Sequence, residues 1–141
     1  MDNINVDEVI DEFRTLNDMM RWAVSQFNAA GLFYGHVTDN SWDEAIQLLL
    51  PALDLPPVVD SDLRQARLTR TEREHLVHLI QQRIEHRVPA PYLTNKAWFA
   101  GYEFYVDERV LIPRSPIGEL ISKRFAPWLQ HEPTRIMDLC T

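Results

Sequence analysis

Proline placement constrains this chain more than any other feature. Nine prolines stand among its 141 residues. Each lacks a backbone donor, cannot continue a helix from within, and biases the residue before it toward extended backbone. Pro56-Pro57 breaks whatever precedes it, Pro89 and Pro91 forbid continuation of the pattern that runs to Arg87, and Pro113 stops a short apolar run. The chain is thereby divided into an early part whose segments read as helices and a later part where extended structure enters.

Before Pro89 the apolar spacing is helical. Val6, Ile10, Phe13, Met20, Val24 and Phe27 recur at intervals of three, four or seven, which predicts one long helix over 6–30, stopped at Gly31. Ser41 followed by Glu44 has the form of a capping box, and Ala45, Leu48, Leu49 and Leu53 continue a second stripe that Pro51 must kink or end. A short turn fits Asp62 to Ala66. Thr71 with Glu74 gives another box, and Leu76, Leu79, Ile80 and Ile84 form a third helical face ending near Arg87. The expected core is Phe13, Met20, Phe27, Leu48, Leu79 and Ile80.

After Pro91 the pattern changes. Ala97 to Val106 is aromatic, with Gly101 near its centre, and predicts two strands meeting in a tight turn. Trp98, Phe99, Tyr102, Phe104 and Tyr105 are expected to pack as a hairpin core, because a base-stacking platform would want interleaved Lys and Arg. Val110-Leu111-Ile112 is a third extended run. Ile117, Leu120, Ile121, Phe125 and Trp128 restore a helical period, and Arg135 to Cys140 reads as a buried strand with no visible partner.

Charge is distributed unevenly. Residues 1–60 carry eleven acidic side chains against Arg14 and Arg21, a balance of −9, whereas residues 61–141 carry ten acidic against twelve basic, a balance of +2. An acidic half argues against a nucleic-acid backbone as its direct partner. It is either a solvated helix surface or a field that steers a basic protein. No apolar run approaches the roughly 20 residues that span a bilayer. Asp2, Asp7 and Glu8 stand where a secretory signal would place positive charge, and the single Cys140 can form no internal disulfide. A cytoplasmic protein without a membrane segment is expected.

Few residues suggest chemistry by themselves. His75 and His78 stand three apart on the third helix with His86 beyond them, but no carboxylate or cysteine cluster completes a metal set, so no metal site is expected. Ser115, His131 and Asp138 lack the glycines of a nucleophile elbow. Arg114 is held between Pro113 and the stiffened Ser115-Pro116, at the entrance to a helix bearing Glu119. That placement suits an anion site or a surface ion pair with Glu119. Asp138-Leu139-Cys140-Thr141 ends a strand in the manner of a doubly wound sheet, where ligands bind beyond strand ends.

Taken in order, four stretches resemble the HemK/PrmB family of protein-glutamine methyltransferases. They are Arg87-Val88-Pro89-Ala90-Pro91-Tyr92-Leu93-Thr94, then Trp98 to Val106, then Val110-Leu111-Ile112-Pro113-Arg114, and last Ile136 to Thr141. Release-factor methyltransferases follow the Ile-Pro-Arg with Pro, an acidic residue, Thr and Glu. Ser115-Pro116-Ile117-Gly118-Glu119 replaces that here, and the strand ends Leu-Cys-Thr rather than Leu-Gly-Thr. Both departures resemble the PrmB branch, which acts on a glutamine of the third protein of the large ribosomal subunit.

The resemblance implies a mainly α fold: an N-terminal helical bundle over 1–88 for substrate recognition, a hairpin linker over 89–113, and over 114–141 the first helix and strand of a Rossmann-like class I methyltransferase core. It implies S-adenosylmethionine as cofactor, with Arg114, Ser115, Asp138 and Thr141 at the edge of its pocket. The family's glycine loop, ribose-binding acid and amide-gripping Asn-Pro-Pro-Tyr would all follow Thr141. No catalytic residue is therefore expected in this chain, and alone it should neither bind cofactor nor transfer a methyl group. The expected partner is a basic ribosomal protein of the large subunit. The alternative is a non-enzymatic acidic helical module that binds proteins.

If the acidic half steers a basic partner, association slows steeply as salt passes the screening range of about 0.1 M. Replacing Asp7, Glu8, Asp11 and Glu12 by lysine should remove most of that dependence in stopped-flow measurements. A salt-independent rate for the unmodified chain would leave only a solvated surface.

Overall fold

The computed structural model describes residues 5–35 and 38–139. Its helices are α1 (Val6–Glu12), α2 (Leu16–Ala29), α3 (Ser41–Ala52), α4 (Ser61–Gln65), α5 (Arg70–Glu85), α6 (Ala90–Thr94) and α7 (Ile117–Ser122). Between α6 and α7 lies an antiparallel pair, β1 (Lys96–Phe99) and β2 (Tyr102–Tyr105).

The single helix expected over 6–30 is two helices, divided at Phe13 to Thr15. Thr15 Oγ1 accepts from the Asp18 N–H at 3.2 Å, while the Asp18 carboxylate accepts from the N–H groups of Arg14 and Thr15 at 3.0 and 2.8 Å. This box starts α2 and leaves the Arg14 carbonyl free to accept from Leu68 N–H at 2.7 Å. Apolar spacing runs straight through the break, so periodicity alone cannot locate it. Burial opposes the charge of Asp18, but the backbone donors of Arg14 and Thr15, with the Thr15 hydroxyl, outweigh it and lower the carboxyl pKa.

The other helix starts are displaced from their expected residues. Asn40, not Ser41, caps α3 by accepting from Asp43 N–H at 2.9 Å. The box of α5 is Thr69 with Glu72, at 3.2 and 2.7 Å, two residues before the expected Thr71 and Glu74. Glu74 instead pairs with Arg70 at 2.8 Å. Pro51 lies one residue inside the end of α3, where its missing N–H and ring are tolerated only as the helix stops.

The core is the space between α2, α3 and α5. Met19, Met20 and Phe27, Ala45, Leu48 and Leu49, and Leu76, Val77 and Ile80 fill it almost without exposure. Of the expected core, Met20, Phe27, Leu48, Leu79 and Ile80 are buried. Phe13 is only half-buried: it lies at the break, edge-on to Trp22 at 6.2 Å between ring centres, with the Arg21 guanidinium 5.5 Å from its own centre.

Three charged side chains join this core. Arg73 donates to the carbonyls of Ile10 and Leu68 at 2.7 and 2.8 Å. Arg83 donates to Glu44 at 2.6 Å and to the Phe33 carbonyl at 3.3 Å, and the second oxygen of Glu44 accepts from the Thr38 hydroxyl at 2.8 Å. Both carboxylate oxygens are thus satisfied, as burial of a charge requires.

The hairpin forms as expected, with Ala97 opposite Phe104, Trp98 opposite Glu103, and Ala100-Gly101 as its turn. Its aromatic residues do not form a core. Tyr102, Phe104 and Tyr105 are exposed and Trp98 and Phe99 half-buried. A pair of four-residue strands is too small to enclose its own rings. The small cluster beside it is Ala97, Val106 and Ile112, with Tyr92 against it. Ile112 is buried there without a third strand: Val110 to Ile112 has no ladder partner among the described residues.

The later segments also depart from expectation. The helix expected to reach Trp128 ends at Ser122, and Arg124 and Phe125 turn left-handed after it. Ile117, Ile121 and Trp128 are exposed, so no packing repays further helix formation. Residues 135–139 form no strand. A strand requires a neighbour for its N–H and C=O groups, and none pairs with it among the described residues.

Leu79→Ala should cost about 2–5 kcal/mol and lower the thermal midpoint by roughly 10 °C or more. Leu111→Ala, at a side chain 74% exposed, should leave it unchanged. Arg83→Met should cost about 3–5 kcal/mol, because it leaves Glu44 buried without its counter-charge. Urea midpoints for the three variants check this ordering, and a silent Arg83→Met would mean that Glu44 reaches water.

Candidate functional site

Residues 87–114 form one joint between the bundle and the chain beyond it. Arg87 sits at φ +57° and turns its guanidinium onto the last carbonyls of α2, Ala30 at 3.0 Å and Gly31 at 3.5 Å. These carbonyls have no partner within their own helix, and a cation there also complements the helix dipole. Pro89 then opens α6, whose Ala90 and Pro91 are buried against the bundle. Proline suits the first turn of a helix because its missing donor is not needed there.

The hairpin is stitched to this short helix by side chains. Asn95 ends α6 in a left-handed conformation, and its amide donates to the Val106 carbonyl at 3.0 Å. Tyr92 donates to the Val110 carbonyl at 2.6 Å. Lys96 reaches back to the Pro51 carbonyl at 3.2 Å and pairs with Asp54, holding that carboxyl below its usual pKa. After β2, Asp107 accepts from the Arg109 side chain and backbone, which holds its carboxyl at a pKa of about 2.

The joint returns Arg114 to the bundle. Its guanidinium stands 3.5 Å from the Gly35 carbonyl, at the outer limit of a hydrogen bond. The expected surface pair with Glu119 is not formed. Ser115 Oγ accepts from Ile117 N–H at 3.2 Å and so helps start α7. Gly118 lies under the Phe99 ring, where an added Cβ would approach within 3.1 Å and the ring would have to shift by a few tenths of an ångström.

Arg114 and Ser115 therefore occupy adjacent places at one end of the joint. Asp138 is exposed on the extended segment, and no hydrogen bond or ion pair joins it to either among the described residues. Thr141 lies outside the described residues. A hollow of about 520 Å³ between Ile121 and Ile136 is lined by Phe125, Leu129 and Pro133, and includes none of these four positions. His75, His78 and His86 are exposed, and no group of three potential metal ligands is assembled among the described residues.

Sequence reading missed the arginines that matter most to this geometry. Arg73 and Arg83 fall in register with Leu76 and Ile80, at spacings of three, seven and ten. That register was a legible signal that both side chains enter the core. Nothing local marked Arg87 as the cap of a helix more than fifty residues earlier.

No family model matches this chain. Two curated proteins are closely similar. The ribosomal protein uL3 glutamine methyltransferase of Xanthomonas campestris pv. campestris is 52% identical over 132 residues, covering 93% of this chain and 43% of that protein. The protein of the same name from Xylella fastidiosa is 51% identical over 132 residues, covering 93% of this chain and 42% of that protein. The chain spans somewhat under half the length of these relatives. Identity of this order over 93% of the chain shows that it is homologous, over the matched residues, to part of proteins named ribosomal protein uL3 glutamine methyltransferase.

Proposed function

We propose that this chain is the substrate-recognition and joint portion of a methyltransferase that modifies the side-chain amide of a glutamine in a large-subunit ribosomal protein. The single observation that carries the reading is the 52% identity over 93% of the chain to a uL3 glutamine methyltransferase. The division of labour follows the packing. The bundle over 1–88 has its own core and presents a surface to the protein substrate. The segment over 89–113 fixes how the chain leaves the bundle, and the residues from 114 onward begin a Rossmann-like catalytic core.

S-adenosylmethionine is the methyl donor this reading implies. A site for it in such a fold needs backbone N–H groups of a glycine loop, a helix N-terminus and an acid on the ribose. The described residues do not supply that set. Arg114 is turned to Gly35, the Ser115 hydroxyl is engaged at α7, and Asp138 stands exposed without a partner strand. In this reading the chain positions rather than reacts. It would hold the substrate protein so that one amide nitrogen meets the donor at a downstream centre, and fixing that approach is worth a large part of such a barrier. Among the described residues no helix is long and apolar enough to cross a membrane; the cytoplasmic setting belongs to the proposed reading.

Calorimetric titration of residues 1–141 with millimolar S-adenosylmethionine should give no saturable heat, since isolated edge contacts cannot offset the entropy of fixing a ligand. A protein extended to the length of the relatives should bind it and methylate uL3, detected as a methyl group on one glutamine by mass spectrometry. In that longer protein Arg114→Ala tests the arginine at the pocket edge. Stoichiometric cofactor binding by residues 1–141 alone would place the site in the wrong half, and a longer protein that leaves uL3 unmethylated would refute the substrate.

A further inference from the structure

The described residues between α2 and α3 are held at several points, yet large aromatic rings stand exposed there and in the first turn of α3. The root of this loop is held by Arg87 on Ala30 and Gly31, its middle by Arg83 on the Phe33 carbonyl, and its end by Thr38 on the buried Glu44. Phe33 nevertheless stands 81% exposed and Trp42 42% exposed. The Phe33 ring folds back over Gly35, where an added Cβ would meet it at 2.4 Å. Rings held outward on fixed backbone lose little freedom when something covers them.

The charge around them is as definite. The Asn40 amide donates to Asp39 at 2.7 Å and to Asp43 at 2.8 Å, which draws together two exposed carboxylates that flank Trp42 in the sequence. Neither meets a cation among the described residues. The start of α3 offers roughly half a positive charge to offset the two, so the place stays negative. Two carboxylates held together beside the start of α3, with the exposed Trp42 in its first turn, suit a guanidinium or ammonium group, through charged hydrogen bonds and the ring face.

Position separates this place from the other acidic surface. Arg73 ties α5 to α1, which bears Asp7, Glu8 and Glu12, whereas Arg83, ten residues on, ties α5 to the loop. At about 1.5 Å of rise per residue the two lie roughly 15 Å apart along α5. Arg114 returns to Gly35, so the chain beyond the joint departs from the loop end.

We propose that Phe33 and Trp42, with Asp39 and Asp43, form the docking point for an arginine- or lysine-rich segment of the protein substrate, a surface that rests on the methyltransferase reading for its role but not for its chemistry. The acidic face of α1 then acts at long range on the encounter, while the loop holds the partner once it has arrived.

The test measures binding of fluorescently labelled uL3, and separately of an unrelated arginine- and lysine-rich peptide, to the 141-residue chain. Phe33→Ala and Trp42→Ala should each weaken uL3 binding about tenfold, as central aromatic contacts do, mainly through faster dissociation and with unchanged thermal midpoints. Asp39→Asn with Asp43→Asn should weaken it and reduce its salt dependence. If uL3 binds and neither aromatic substitution matters, the docking point is wrong and the substrate reading stands. If only the peptide binds, and through these rings, the surface stands and the choice of uL3 fails. No binding of either ligand overturns both. In the longer protein the aromatic variants should raise KM for uL3 while kcat holds. A fall in thermal stability there instead would mean that the rings are covered by the protein's own chain, which overturns the proposal.

Discussion

Backbone carbonyls left open where helices break are the constraint on which this structure depends. A buried C=O without a donor costs as much as a lost hydrogen bond, a condition met in full at Ile10 and Leu68 and in part at Phe33, while Ala30 and Gly31 are bound at the surface. Arginines supply the donors. Arg73 takes the carbonyls of Ile10 and Leu68, Arg83 that of Phe33, and Arg87 those of Ala30 and Gly31. All three lie on α5 or just after it, so one helix supplies both the apolar stripe and the donors that seal its margins. Arginine suits the task because one planar group can reach two acceptors while its stem packs against apolar neighbours.

The same device sets the route of the chain toward the joint. Because Arg87 is drawn onto the end of α2, the backbone turns left-handed there and Pro89 enters α6 along the flank of α3. Tyr92, Asn95 and Lys96 then fasten the hairpin to the residues before and after it. In three of the stretches that carry the family resemblance, 87–94, 98–106 and 110–114, these bonds fix the course of the backbone and determine where Arg114 emerges.

Beyond the joint the balance of surfaces changes. Leu111, Ile117, Ile121, Trp128, Ile136, Met137 and Leu139 are all about half exposed or more. Exposed apolar side chains in such number usually mark a surface that meets other protein. Relatives more than twice as long provide a source for it within the proposed reading. The bundle is different, since its core is enclosed by its own helices and its exposed aromatics are confined to the loop before α3 and its first turn.

What the sequence determined by itself is what depends on nearby residues. Helical faces over 41–52 and 70–85, the hairpin, the prolines that end each pattern and the burial of Met20, Phe27, Leu48, Leu79 and Ile80 followed from spacing and backbone chemistry, whereas Leu16, Met19, Ala23 and Val77 did not. The family resemblance also followed, because four ordered motifs need no coordinates to be recognised. Tertiary structure decided the rest. It placed the break at Thr15, where an Asp18 box and the Leu68 N–H compete successfully with a continuous apolar stripe. It also buried Glu44, which reads locally as a capping residue, because Arg83 arrives from 39 positions away to neutralise it. The two terminal segments expected as helix and strand stayed short or unformed for a related reason: their pattern is local, but a helix face and a strand edge gain stability only from partners outside themselves.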